Sequence, residues 1–250
     1  MLHSIDIEDI RKIAFEAGQE ILKIYNQKFD IDYKLDSSPV TKADLVANQI
    51  ICDRLQSLYP NIPIISEENQ QIEYEVRKDW LYYWCIDPLD GTKEFIKKNG
   101  EFTVNIALIH KDTPVLGVVY IPVLGDIYSA KKGAGVYKNS KKLLPTISRS
   151  LDTLKVMVSK SHFSTQTQEF IKSFTTKKIV TISKGSSLKF CLIAEGLADI
   201  YPRLTPTMEW DTAAADAIVR ESGKMTYQIS TDKPLVYNKK DLHNPSFVVK

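Results

Sequence analysis

The sequence predicts a mixed α/β protein in two halves, an α+β half over residues 1–150 and an α/β half over residues 151–250, packed together with a cleft between them. Three observations predict it. Two stretches with helical spacing of apolar residues open the chain. Runs of β-branched and aromatic residues, separated by turn residues, fill the middle. Beyond about residue 150, strand-like and helix-like segments alternate, the pattern of an α/β unit.

Residues 6–28 read as an amphipathic helix, because Ile7, Ile10, Ile13, Ala17, Ile21 and Ile24 recur every three to four positions with charges between them. Residues 41–58 read as a second helix carrying Leu45, Ile50, Ile51, Leu55 and Leu58 and stopped by Pro60. Strands are expected at 62–65, 82–86, 103–109, 115–121 and 126–130. The turn Gly133-Ala134-Gly135 precedes another short strand at 136–137. In the second half the order is strand 154–159, helix 165–174, strand 178–182, helix 187–196, strand 198–201 and helix 211–221.

Composition bounds the function. The chain has 250 residues, 43% hydrophobic and 26% charged, which is ordinary for a globular protein with its own core. The net charge is +2, and the strongest basic cluster, Lys131-Lys132 with Lys138 to Lys142, reads as a solvated hairpin. Nucleic-acid binding wants basic residues interleaved with aromatics on one face, so no nucleic-acid partner is expected. The three cysteines, Cys52, Cys85 and Cys191, are far apart and sit among apolar neighbours, so reduced buried thiols are expected in a cytoplasmic protein. The start of the chain is acidic and not a signal peptide, and Pro122 breaks the most apolar stretch, 115–124.

Some carboxylates stand out of place. Asp87 and Asp90 directly follow the apolar run Trp84-Cys85-Ile86; Glu67-Glu68 follows Ile62 to Ile65; Asp211 opens the alanine-rich helix. Gathered together, such groups could not stay ionised without cations, and an all-carboxylate site suits a hard ion such as Mg2+ or Ca2+. An EF-hand is excluded, since Ile86 and Pro88 fall where its loop needs ligands. Gly91-Thr92 opens a short helix at 93–98, whose free N–H groups favour an anion. Taken singly, each piece has a plainer reading: a turn for Asp87 to Gly91, a helix cap for Asp44 and Thr92, a solvated turn for Glu67-Glu68. The sequence holds neither a G-x-S-x-G elbow nor a P-loop.

In order and spacing, Asp44, Glu67-Glu68, Asp87-Pro88-Leu89-Asp90-Gly91-Thr92 and Trp210-Asp211 resemble the inositol monophosphatase superfamily of lithium-sensitive, Mg2+-dependent phosphatases. The stretches 93–105, 185–203 and 244–247 are similar to its bisphosphate-nucleotidase branch. The resemblance covers nearly the whole chain. It implies a layered αβαβα sandwich of the inositol monophosphatase and fructose-1,6-bisphosphatase type. It implies hydrolysis of the 3'-phosphate of 3'-phosphoadenosine 5'-phosphate to AMP. Glu67, Asp87, the Leu89 carbonyl, Asp90 and Asp211 are then expected to hold two or three Mg2+ ions. Asp44 and Thr92 are expected to orient and deprotonate the attacking water, with help from Glu67. Gly91 and Thr92 N–H groups would hold the cleaved phosphate, bordered by Leu89, Asp90 and Asp211. On the far side, His162, Ser186, Lys189 and Arg203 match positions that contact the nucleotide and its 5'-phosphate.

The same resemblance admits an inositol or sugar-bisphosphate substrate, and a non-catalytic nucleotide sensor that keeps the fold. It also admits a loose peripheral association with the inner membrane face, which no amphipathic stretch demands. Two departures stand out. The family often has Gly where this chain has Ala215, expected near the cleft, and it closes that helix with Gly-Gly where this chain has Gly223-Lys224.

Overall fold

The structure, a computed structural model, describes residues 1–34, 39–144, 152–160, 164–174 and 178–250. The first helix, α1 (Ile7–Tyr25), starts where Asp6 accepts a hydrogen bond from the Glu8 N–H. Its buried residues, Ile10, Ile13, Ala14, Ala17, Gly18 and Ile21, form one face, as the spacing requires. It ends three residues before the expected position 28. A short antiparallel pair follows, β1 (Ile31–Tyr33) and β2 (Pro39–Thr41), too brief for alternation to reveal it. It leads straight into α2 (Lys42–Leu58), which opens on a reciprocal capping box between Thr41 and Asp44.

A seven-stranded sheet comes next, in sequential order: β3 (Ile64–Ser66), β4 (Tyr82–Asp90), β5 (Thr103–His110), β6 (Thr113–Ile121), β7 (Asp126–Lys131), β8 (Gly135–Lys138) and β9 (Lys141–Lys142). Only β3 and β4 run parallel; every other neighbouring pair is antiparallel. The short helices α3 (Tyr74–Arg77) and α4 (Thr92–Ile96) flank β4 in sequence. Strand alternation sorts side chains onto two cores. Trp84, Ile86, Val104, Ile106, Leu108, Val118 and Tyr120 join the core formed with α1 and α2. Tyr83, Cys85, Ala107, Ile109, Val119 and Ile121 face the opposite core.

The second half supplies that opposite cover. β10 (Thr153–Ser159), α5 (Thr165–Lys172), β11 (Lys178–Lys184), α6 (Leu188–Ala194), β12 (Tyr201–Arg203), α7 (Ala213–Glu221), β13 (Thr226–Gln228) and β14 (Phe247–Val249) complete the chain. Helices α6 and α7 pack on the large sheet. Gly117 on β6 makes this possible, because a methyl there would overlap the Ala214 carbonyl oxygen. β10 pairs in parallel with β11, β14 lies between β12 and β13, and a bridge from Val156 to Ile200 joins the two groups. Val156, Val158, Ile171, Ile200 and Val248 form a third small core with α5. The layers are α1 and α2, the large sheet, α6 and α7, the smaller sheets, then α5, the αβαβα order.

Several expectations need correction. The strand expected at 198–201 is β12 at Tyr201–Arg203, the helix expected from 211 starts at Ala213, and Cys52 is only half-buried. β4 does not stop at Ile86 before a loop; it runs on to Asp90, with a register shift between Asp87 and Asp90. The irregularity acts as a bulge, re-aiming carboxylates at the strand end without ending the pairing. Ala215 is fully buried in the core of α7 and does not line the cleft. Gly223 alone ends α7: at φ +83° it donates to the Arg220 carbonyl while Lys224 N–H reaches Val219 O, a complete Schellman motif.

Candidate active site

One cleft gathers the end of β4, the start of α4, the turn before α6 and the segment before α7. Its walls include Glu67, Asp87, Leu89, Asp90, Gly91, Thr92, Ser186, Lys189, Arg203 and Asp211. Of the expected site residues, Asp44 lies behind this wall, and His162 falls outside the described residues.

On one side, carboxylate oxygens of Glu67, Asp87 and Asp211 come within 4.8 Å of one another. Each acid, and Asp90 beside them, is held by one oxygen. Glu67 Oε1 takes Lys34 Nζ at 2.8 Å, Asp87 Oδ1 takes the Leu89 N–H at 3.0 Å, and Asp211 Oδ2 takes the Met208 N–H at 2.9 Å. Asp90 Oδ2 takes the Ser187 N–H at 2.6 Å and the Ser187 hydroxyl at 2.8 Å. Among the described residues the second oxygen of all four acids accepts nothing. Orientation through one oxygen with the other left free is how outer groups fix metal ligands.

Burial is the main reason these acids resist ionising. It pushes Asp211 up to about 8, with the charges of Asp90 and Glu67 adding to it. It raises Asp87 well above the usual carboxylate range, with Glu67, Asp90 and Asp211 adding repulsion. Glu67 is also raised by burial, and Lys34 offsets part of the rise. Four acids that repel one another in a buried cleft, each presenting a free oxygen, fit a hard divalent cation.

The rim beside them is glycine by necessity. Gly91 has φ +95°, and a methyl there would sit 3.3 Å from both Glu101 O and Ser186 Cβ. Thr92 starts α4, and its hydroxyl lies 3.2 Å from Asp44 Oδ1.

A second wall of the cleft is cationic. Lys189 is 4% exposed, donates to Ser186 O at 2.6 Å and lies over the Tyr201 ring. Burial lowers its pKa to about 8, against the attraction of Asp90. Ser186 Oγ and Arg203 Nε are buried with no hydrogen-bond partner among the described residues. Unpaired buried donors carry a desolvation cost unless a ligand meets them.

The sequence model of the inositol monophosphatase family matches residues 3–248. The chain belongs to the inositol monophosphatase family. It is 43% identical to the 3'(2'),5'-bisphosphate nucleotidase CysQ of Shigella flexneri over 97% of this chain and 98% of that one. The Haemophilus influenzae CysQ is 37% identical over 97% and 91%. Among solved structures, CysQ from Bacteroides thetaiotaomicron superposes with a TM-score of 0.87 at 42% identity, covering 97% and 96%. A Thermotoga maritima IMPase shares the fold, with a TM-score of 0.82 at 22% identity. No helix of the described residues is long and apolar enough to cross a membrane.

Four polar residues at the site carry no site role in the sequence reading. Lys34 bonds Glu68 at 2.6 Å as well as Glu67. As a lone lysine in a short exposed segment it gives no signal. Thr103, Asn105 and Ser187 surround Asp90. A signal existed for two of them, because Thr103 and Asn105 stand at alternate positions of the otherwise apolar run 103–109, and both are buried.

Proposed function

We propose that this inositol monophosphatase family member is a Mg2+-dependent 3'-nucleotidase that converts 3'-phosphoadenosine 5'-phosphate to AMP and phosphate. The observation that carries the reading is one cleft lined both by the carboxylates of Glu67, Asp87, Asp90 and Asp211 and by Ser186, Lys189 and Arg203. The first wall suits divalent cations and the phosphate to be cleaved. The second suits another anion on the same substrate, which a nucleotide 3',5'-bisphosphate carries and inositol monophosphate lacks.

Glu67, Asp87, Asp90 and Asp211, with the Leu89 carbonyl, would hold two or three Mg2+ ions. Bound Mg2+ supplies Lewis-acid polarisation of the phosphoryl group and charge to meet the departing 3'-oxygen. The chain's own groups do the rest. The N–H groups of Gly91 and Thr92 hold the phosphate at the cleft edge. Thr92 Oγ1 orients the attacking water, and Asp44 accepts the proton through it, the two being 3.2 Å apart. Lys189 and Arg203 fix the 5'-phosphate, with Ser186, and orient the sugar between the walls. Phosphate monoesters hydrolyse so slowly unaided that positioning and charge must supply most of the acceleration.

Lys189→Ala tests the nucleotide half of this reading. Preference for 3'-phosphoadenosine 5'-phosphate over inositol 1-phosphate should fall by about tenfold or more, the scale of a lost charged hydrogen bond. Unchanged discrimination would refute it.

A further inference from the structure

Ser187 occupies the position where a serine ordinarily caps a helix. It precedes α6, yet its side chain makes no cap hydrogen bond. The hydroxyl turns the other way. Ser187 Oγ lies 2.8 Å from Asp90 Oδ2 and 2.8 Å from the Asp211 carbonyl, while Asn105 Nδ2 donates to it at 2.9 Å. Asn105 is itself held by Thr103 Oγ1, at 3.0 Å from its Oδ1. Because Asn105 fills one acceptor direction, the Ser187 proton is directed at the two acidic segments. The Ser187 N–H adds a second bond to the same Asp90 oxygen, at 2.6 Å. Ser187 is 1% exposed, so water does not compete.

The same turn carries the cationic wall. Ser186, one residue earlier, stands at φ +44° with its hydroxyl buried, unpartnered among the described residues, and on the cleft lining. Lys189, two residues later, is tied to the Ser186 carbonyl at 2.6 Å. Glu101 anchors the turn from outside, accepting the Gly185 N–H at 2.9 Å. Residues 185–189 therefore touch the anion wall with one side and grip Asp90 with the other. Whatever pulls on Ser186 and Lys189 acts on the orientation of Asp90.

We propose that Ser187 is a positioning residue that couples the two walls: an anion bound at Ser186 and Lys189 sets Asp90, so that it raises turnover and not affinity alone. This rests on the nucleotidase reading for its turnover half, and on geometry alone for its cation half. Remote binding interactions raise turnover only when they improve alignment at the reacting centre, and small misplacements there are costly.

The test compares wild type with Ser187→Ala and Ser187→Thr. Two substrates are used, 3'-phosphoadenosine 5'-phosphate and adenosine 3'-monophosphate, which lacks the remote anion. Mg2+ binding to each protein is titrated by calorimetry without substrate. In wild type the 5'-phosphate should raise kcat and lower KM. In Ser187→Ala the kcat advantage should fall by about tenfold, the KM advantage should persist, and Mg2+ affinity should weaken several-fold. Ser187→Thr, which keeps the hydroxyl, should restore the kcat advantage and Mg2+ affinity. If Ser187→Ala does not fold, Ser187→Cys, close in size with a much weaker donor, is read the same way. A folded variant with wild-type Mg2+ affinity and an unchanged kcat advantage overturns the proposal. If wild type turns over neither nucleotide, the function assignment fails instead, and the Mg2+ titration alone decides: equal affinity in wild type and Ser187→Ala sinks the role of Ser187.

Discussion

Thr92 Oγ1 lies 3.2 Å from Asp44 Oδ1, the carboxylate oxygen that the helix cap leaves over. Asp44 Oδ2 takes both the Thr41 N–H at 2.8 Å and the Thr41 hydroxyl at 2.7 Å. One residue therefore serves a structural and a chemical end through different oxygens. Burial raises its pKa, and the Thr41 hydrogen bonds work against the rise.

The two ends separate by mutation. Thr41→Ala should cost about 1 kcal/mol of stability, seen as a lowered Tm, through loss of the cap. Thr92→Val leaves the cap intact and should lower kcat by a factor of roughly 100, the scale of losing one proton-handling group. Asp44→Asn should lower kcat at least as far. Equal activity of Thr92→Val and wild type would remove the pair from the proposed chemistry.

The acidic wall makes stability depend on pH and cation together. Asp211 titrates near 8 in the folded, metal-free protein and near 4 when unfolded. Its folded pKa is raised, so the stability it contributes is fully present below pH ~4 and is lost as pH rises towards 8. Mg2+ needs the deprotonated form, so it competes with protons. Added Mg2+ should raise Tm little near pH 5 and progressively more towards pH 8. Asp87→Asn and Asp211→Asn should reduce that rise. A Mg2+ effect on Tm that is flat from pH 5 to 8 would contradict the arrangement.

Lys189 carries the opposite sign. Its folded pKa, about 8, lies below the ordinary 10.5. Its contribution to stability is present above pH ~10.5 and is lost as pH falls through 8. An anion at the cationic wall requires the charged form, so binding above pH 8 must be accompanied by proton uptake. KM for a 5'-phosphorylated substrate should therefore rise above pH 8, and the rise should vanish in Lys189→Met. Steady-state kinetics from pH 7 to 9.5 check it.

The packing of α7 positions Asp211 from behind. Gly117 leaves no room for a methyl against the Ala214 carbonyl, so Gly117→Ala must push α7 away from β6. A cost of about 1–3 kcal/mol is expected, measured by denaturant unfolding. A neutral substitution would mean that the helix moves freely.

Much of this was legible in the sequence. The long strands of the large sheet, β4 to β7, were readable because β-branched and aromatic runs are long and bounded by turns, whereas β9, two lysines, has no such signal; the carboxylates were readable because acids at the ends of apolar runs are conspicuous. The αβαβα layering needed the family resemblance, since periodicity does not say which strands pair. Three-residue strands such as β1, β2 and β12 are shorter than a readable alternation. The continuation of β4 through Pro88 was hidden because Asp87-Pro88 and Asp90-Gly91 have the composition of a turn, and only pairing with β5 keeps them extended. Ala215 was misplaced because helix spacing fixes a residue's neighbours on its own helix and not which face meets the sheet. Lys34 and Ser187 act through contacts across 33 and 97 positions of chain, which no local pattern carries.

Phosphate release from 3'-phosphoadenosine 5'-phosphate, with and without Mg2+, beside inositol 1-phosphate and fructose 1,6-bisphosphate at equal concentration, tests the nucleotidase reading most directly. Mg2+-dependent release with clear preference for the nucleotide is expected. Preference for inositol 1-phosphate would contradict the assignment of Ser186, Lys189 and Arg203; preference for fructose 1,6-bisphosphate, which also carries a second phosphate, would contradict the nucleotide assignment; and absence of release from all three would contradict the proposed chemistry itself.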